Sequence, residues 1–158
     1  MTDMQDPGTE AREVLDATPY VVLSTVGEDG RPWATPVYFA HDGLDRVLWV
    51  SRPETTHSRN LAERPEIFLV VFNSQVPVGA ARALYAQAVA ELVPPADLET
   101  DCAVFSARSE TDGAGVWPVE KVRPPAELRL YRARISAAWV LATDGGPDRR
   151  IPVPIGVS

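Results

Sequence analysis

The stretch from Arg46 to Phe72, RVLWVSRPETTHSRNLAERPEIFLVVF, constrains the fold of this chain more than any other. Arg46 to Ser51 and Ile67 to Phe72 are short, apolar and rich in β-branched residues, which favours strands over helices. A polar turn and a short helical segment separate them, and Pro65 stands just before the second strand. Because the second strand is apolar at every position, we expect both of its faces to be buried. The stretch therefore predicts a strand, turn, helix and strand within a β-rich fold.

The turn concentrates polar and cationic side chains at the start of the predicted helix. If Thr56 is the N-cap residue, then His57, Ser58 and Arg59 occupy the first helical turn. Backbone N–H groups at a helix N-terminus favour a bound anion, and hydroxyl and guanidinium groups add further donors. Arg52 precedes the turn and adds a second positive charge. We therefore expect a phosphate-bearing ligand at this turn.

The rest of the sequence predicts further strands joined by turns, and two more short helices. Residues 10–17 have a helical pattern, and the helix that follows Pro95 places Leu98, Cys102 and Phe105 on one buried stripe. The other predicted strands are Tyr20–Thr25, Pro32–Ala40, Leu84–Val93 and Leu128–Ala142. Since the connections are hairpin-like, we expect an α+β fold, an antiparallel split β-barrel of about six strands with two or three short helices.

Length and composition narrow the class of protein. The 158 residues suit one domain, with an N-terminal segment and helix (residues 1–18) before the barrel and a tail (residues 145–158) after it. The polar N-terminus lacks a secretory signal, and no apolar run approaches the roughly 20 residues of a membrane span, so we expect a cytoplasmic protein without a membrane partner. A net charge of −7 argues against nucleic-acid binding. One cysteine and two histidines are too few for a zinc cage, so we expect no metal.

Three stretches follow one family pattern in the same order. Residues 55–61, TTHSRNL, followed by Pro65, match the motif S-x-K-x-x-N-L with a later proline, although a threonine replaces the serine and a histidine the lysine. Residues 30–37, GRPWATPV, are similar to the second strand of that family, and residues 72–92 to a loop and the strand after it. From about residue 20 to about residue 142 the chain thus resembles the pyridoxamine 5′-phosphate oxidase-like family of flavin-binding split barrels.

The resemblance implies a homodimer with flavin mononucleotide (FMN) in a groove between the subunits. The phosphate is expected at the turn, and the flavin ring along the second strand. The residues expected to hold FMN are Thr35, Pro36, Val37, Val50, Ser51, Arg52, Thr56, His57, Ser58, Arg59 and Gln87. The implied activity is that of an oxidoreductase or flavin reductase with a small-molecule substrate. Because the flavin carries the hydride chemistry, no catalytic residue is assigned.

Other interpretations of the same residues stay open. The chain can be a deazaflavin-dependent reductase of the same fold, a flavin-binding or haem-binding protein without catalysis, or a scaffold. Gln87 lies among apolar neighbours, so we expect a buried amide that bonds the flavin or a backbone group. Trp49 is expected in the core. Arg129, Arg132 and Arg134 are expected at an edge that faces solvent or a partner subunit.

Overall fold

Between Gln5 and Gly156, which the computed structural model describes, the chain forms eight strands, three α-helices and one short 3-10 helix. The ends of the predicted N-terminal segment and tail, residues 1–4 and 157–158, lie outside the described residues. The helices are α1 (Pro7–Ala17), α2 (Thr56–Glu63) and α3 (Leu98–Thr111), with the 3-10 helix at Val119–Lys121. The strands are β1 (Tyr20–Val26), β2 (Pro32–Tyr38), β3 (Ala40–Asp42), β4 (Arg46–Ser51), β5 (Glu66–Phe72), β6 (Ala83–Leu92), β7 (Arg129–Leu141) and β8 (Arg150–Val153).

All strands belong to one antiparallel sheet in the order β2-β1-β5-β6-β7-β4-β3, and β8 pairs with β7. The sheet curls until β2 and β4 approach each other without ladder hydrogen bonds, so the barrel is split along this seam. The predicted α+β split barrel is confirmed.

Two strands were not among the roughly six predicted. Strand β3 overlaps the predicted second strand, Pro32–Ala40, only at Ala40, and the buried Phe39 separates it from β2. Strand β8 lies within the segment predicted as a tail, and among the described strands it pairs with β7 alone. Its sequence contains Pro152, which disfavours a central strand but is tolerated in a strand with one neighbour.

The apolar side chains form two clusters, one on each side of β4 and β7. The cluster inside the barrel includes Trp49, which is fully buried as predicted, and the helix α1 packs against this part of the fold. The second cluster lies between the outer faces of β4 and β7 and the helix α3, and it contains Leu98, Cys102 and Phe105 as the sequence predicts. Burial raises the pKa of the Cys102 thiol, which disfavours the reactive thiolate.

Strand β5 departs from its prediction. Ile67, Leu69 and Val71 are buried, whereas Phe68 is half-buried and Phe72 is exposed. The expectation of two buried faces is therefore wrong for the single chain, because Phe68 and Phe72 on the outer face are incompletely covered by residues 5–156. An apolar run of this kind does not distinguish burial by the chain itself from burial by another molecule.

The prediction for the arginines of β7 is right for one residue and wrong for another. Arg134 is exposed, but Arg132 is only 5% exposed and is surrounded by carboxylates. Its guanidinium lies 2.9 Å from Asp101 and 2.7 Å from Glu91. The acidic start of α3 covers β7 at this point, which the local sequence of β7 does not reveal.

None of the helices in the described part of the chain combines the length and the apolar character that a membrane crossing requires.

Candidate functional site

Helix α2 begins one residue earlier than the sequence suggested. Thr55 is the N-cap, with extended backbone (φ −65°, ψ 152°), and its Oγ1 accepts a hydrogen bond from the Ser58 N–H at 3.3 Å. Thr56 is already helical, so the assignment of the cap to Thr56 is wrong. Two adjacent threonines offer the same capping chemistry, and only the backbone conformation distinguishes them.

Removal of the Thr55 hydroxyl is expected to weaken this helix start. We expect Thr55→Ala to lower the free energy of unfolding by about 1 kcal/mol, since one N–H donor at the helix start loses its acceptor. Thr56→Ala serves as the matched control and should change stability by less than about 0.5 kcal/mol. Urea unfolding measures both variants, and a larger loss for Thr56→Ala would contradict the assigned cap.

Four polar side chains meet where β4 runs into α2, and we call Ser51, Thr55, His57 and Ser58 the hydroxyl cluster. The Ser51 Oγ lies 2.8 Å from the His57 Nε2, and the Thr55 Oγ1 lies 3.3 Å from the same nitrogen. The Thr55 and Ser58 hydroxyl oxygens are 2.7 Å apart. Thr55 is half-buried and the other three are buried. Ser51, His57 and Ser58 therefore support and orient the Thr55 hydroxyl from below.

Burial determines the protonation of His57. The side chain is 9% exposed, and desolvation lowers the pKa of His57 below its usual value. The imidazole is therefore neutral at pH 7 and serves Ser51 and Thr55 as a hydrogen-bond partner. The family motif has a lysine at this position. His57 does not replace it as an exposed cation, because the imidazole is buried and neutral.

Two arginines bring positive charge to the turn, and they differ in their partners. Arg52 forms an ion pair with Glu127, but both side chains are more than half exposed, so the pair is weak. Arg59 is exposed on the first turn of α2, and no ion pair among the described residues includes it. The backbone N–H groups of Thr56 and His57 also have no acceptor within residues 5–156. The Thr55 hydroxyl beside them lies 3.0 Å from the Arg52 carbonyl, to which it donates. The two N–H groups and Arg59 together fit one phosphate-sized anion.

Helix α2 is fixed to the barrel at its centre. The Asn60 amide donates to the Thr25 hydroxyl at 3.0 Å, and Leu61 is buried in the core of the barrel. Asn60 belongs to the family motif but was not assigned a role from the sequence. Its partner lies on β1, far away in the chain, and only the tertiary structure shows this contact.

The seam between β2 and β4 brings some of the predicted ring-binding residues together. Thr35 and Val37 are half-buried on the inner face of β2, and Ser51 points inward from β4. Pro36 points to the opposite face of β2, and Val50 packs against the second apolar cluster. The side chains of Thr35, Val37 and Ser51 thus border the seam, while Pro36 and Val50 offer it only their backbones.

Gln87 does not lie at the seam. It is exposed on the outer face of β6, at a β-bulge, so the expectation of a buried amide is wrong. There it borders a groove of about 390 Å³ together with Ser24, Phe68 and Ser136. Because this groove and the hydroxyl cluster lie on opposite faces of the sheet, Gln87 does not join the cluster within one chain.

The register of β4 and β7 adds one residue that sequence reasoning missed as a site neighbour. Arg129 stands directly opposite Ser51 in this strand pair and is half-buried. The sequence carries no local signal for this placement, because it depends on the pairing of two strands that are distant in the chain.

Comparison with known proteins identifies the family. No curated protein matches the sequence. Many solved structures share the fold, among them these three. A haem-binding protein from Mycobacterium smegmatis is 18% identical (TM-score 0.71), with 92% of this chain and 57% of that chain covered. A conserved hypothetical protein from Mycobacterium tuberculosis is also 18% identical (TM-score 0.71), with 100% and 97% covered. An F420 reductase is 22% identical (TM-score 0.57), with 80% and 94% covered.

These identities establish a shared fold and nothing finer, and this chain spans little more than half of the M. smegmatis protein. The sequence itself gives the stronger result, because residues 8–146 match the family described as pyridoxamine 5′-phosphate oxidase. This match includes the hydroxyl cluster, the seam and Gln87. The chain therefore belongs to the pyridoxamine 5′-phosphate oxidase family.

Proposed function

We propose that this protein binds FMN at the seam and the α2 turn, and that it acts as an FMN-dependent oxidoreductase or flavin reductase on a small substrate. The observation that carries the proposal is the hydroxyl cluster at the start of α2, next to the exposed and unpaired Arg59 within residues 5–156. In a chain of this family, such a turn suits the phosphate of a flavin nucleotide.

The residues of the turn have different roles in phosphate binding. The N–H groups of Thr56 and His57 donate hydrogen bonds, and Arg59 supplies the charge. The Thr55 hydroxyl, which donates to the Arg52 carbonyl without ligand, turns to the phosphate on binding. Ser58 and Ser51 are buried, so they act by holding Thr55 and His57 in place rather than by contact with the anion. The negative end of the ligand is thereby fixed at one end of the seam.

The edge of β2 offers a second set of contacts. Within residues 5–156, strand β2 pairs with β1 alone, so the backbone N–H and C=O groups on its other side face the seam. We assign those of residues 35–37 to the polar edge of the flavin ring, with Thr35 and Val37 lining it from the inner face. FMN supplies the hydride-transfer chemistry when bound, and the protein positions it and limits access of water.

The proposal includes a homodimer. Gln87 and its groove lie on the outer face of the sheet, where Phe68 and Trp139 stack with ring centroids 6.5 Å apart and stay half-buried. A ligand at the hydroxyl cluster meets a Gln87 side chain only when a second chain supplies it. If size-exclusion chromatography shows a monomer at micromolar concentration, this part of the proposal is wrong.

Two observations favour FMN over its alternatives. The turn has a single cation without a partner among the described residues, which suits one phosphate rather than the longer anionic tail of a deazaflavin. Both histidines of the chain are occupied within the fold, since His57 bonds Ser51 and His41 bonds Asp16, each at 2.8 Å. Neither imidazole projects from the surface as a haem ligand.

The test is titration of the purified protein with FMN and with riboflavin, which lacks the phosphate. We expect FMN to bind more tightly, and Arg59→Ala to weaken FMN about tenfold or more while riboflavin is unaffected. Arg64→Ala, at the other end of α2, is the matched control and should stay within about twofold. Flavin fluorescence reports the binding.

Three results would contradict the proposal. Equal affinity for FMN and riboflavin would exclude a phosphate site at the turn. Tight binding of deazaflavin alone would change the cofactor, and a Soret band on addition of haem without flavin binding would favour the haem-binding alternative.

A further inference from the structure

A second cavity lies outside the proposed cofactor site, at the ends of β6 and β7 next to the start of α3. Its volume is about 230 Å³. Val93, Leu98, Val122 and Leu130 form its floor, and none of them is more than 7% exposed. These residues belong to the second apolar cluster. The floor is therefore part of a packed core, with a fixed apolar shape.

Two arginines line the same cavity. Arg129 is half-buried, and its guanidinium donates to the backbone carbonyls of Ala126 and Leu128, the latter at 2.7 Å. No ion pair among the described residues includes Arg129, and the neighbouring Glu127 pairs with Arg52 instead. A half-buried guanidinium without a carboxylate thus stands beside an apolar cavity.

The other arginine of the cavity, Arg123, forms one weak ion pair. The Arg123 Nη2 lies 3.0 Å from the Glu99 Oε1, but the two side chains are 44% and 76% exposed. Exposed pairs of this kind contribute little free energy and exchange partners readily. Arg123 can therefore turn toward an anion at the cavity mouth without a large loss.

We propose that this cavity binds a small carboxylic acid in its ionised form, with a compact apolar body such as a single aromatic ring. A dry cavity of about 150 Å³ is large enough for benzene, so the volume here suits a ring with a few more atoms. The apolar body contacts the Leu and Val side chains, and the carboxylate pairs with Arg129, whose planar guanidinium matches its two oxygens.

The inference goes beyond the proposed function and stands without it. No residue of the cavity belongs to the hydroxyl cluster, and the contacts need no cofactor. Because Arg129 is the register partner of Ser51, however, an acid bound here lies beside the strand that leads to the cofactor turn.

The experiment uses the full-length protein and benzoate as the probe, with benzyl alcohol as its neutral counterpart. We expect saturable benzoate binding on the order of 1 mM or tighter by calorimetry, and binding of benzyl alcohol about tenfold weaker. Arg129→Gln removes the charge and keeps a donor, and it should weaken benzoate about tenfold while benzyl alcohol is unchanged. Arg134→Gln, an exposed arginine of the same strand, should have no effect.

Arg129→Lys provides a second variant, which keeps the charge but loses the planar pair of donors, and it should give an intermediate affinity. An affinity for benzoate that is unchanged in Arg129→Gln would overturn the proposal, as would equal affinities for benzoate and benzyl alcohol. In NMR spectra, benzoate should shift the backbone amide signals of Leu92, Leu98 and Val122. Shifts at residues 55–59 instead would also overturn the proposal. Failure of FMN to bind leaves these outcomes unchanged, so the two proposals fail independently.

Discussion

Asp101→Ala is expected to lower the free energy of unfolding by about 3 kcal/mol, the low end of the range for breaking a buried ion pair. Asp101 is 1% exposed, and its two carboxylate oxygens lie 2.9 Å from Arg132 and 3.1 Å from Arg46. Without this carboxylate, two guanidinium groups of low exposure lose their shared partner. Arg132 keeps Glu91 and Asp97, which limits the loss.

Urea unfolding of the natural protein and of Asp101→Ala measures this effect as a lower midpoint urea concentration, with an unchanged dependence of the unfolding free energy on urea. Asp45→Ala is the matched control, because its carboxylate is exposed and lies 3.9 Å from Arg134. We expect that control to change stability by less than about 1 kcal/mol. A loss below about 1 kcal/mol for Asp101→Ala would show that the network adds little to stability.

This network joins the helix α3 to the barrel at a point where apolar packing does not. Asp101 lies on α3, Arg132 on β7 and Arg46 on β4, so one carboxylate connects three elements. The second apolar cluster lies between the same elements, and its apolar contacts are not directional. Paired charges have defined partners and distances, so we infer that they fix the position of α3 along the two strands.

The main strands and their order along the chain were predictable because their signals are local. Alternation, β-branched residues and turn residues located β4 with its exact ends, Arg46 and Ser51, and the main strands around it. The short helix between β4 and β5 followed from its polar start. Strand β8 was missed because Pro152 and the glycines before it favour a tail, and only its pairing with β7 makes it a strand.

The placement of side chains on a face or in a network was much less predictable. Gln87 was expected inside and lies outside, and Arg132 was expected at an edge and lies in a buried network. Both outcomes depend on what packs over the strand, which is set by residues distant in the chain. In the turn, the sequence identified the residue types correctly but not the burial of His57, which decides its charge.

The charge of His57 has a consequence for pH. The pKa of the ligand-free imidazole is lowered by desolvation, so at pH 7 and above the ring is mostly neutral. A phosphate bound at the start of α2 favours the protonated ring and raises this pKa in the complex. Binding then takes up a proton, and affinity must fall as pH rises through the pKa of the complex. The sign is opposite for the phosphate itself, which gains negative charge as pH rises through about 6.

Comparison with His57→Lys separates these two effects, since lysine stays charged over the whole range and the phosphate titrates equally in both proteins. We expect the dissociation constant for FMN of the natural protein, divided by that of His57→Lys, to rise about tenfold between pH 6 and pH 8. Flavin fluorescence titrations at several pH values measure this ratio. A flat ratio would mean that His57 stays neutral with FMN bound, and that Arg59 and the backbone donors hold the phosphate without it.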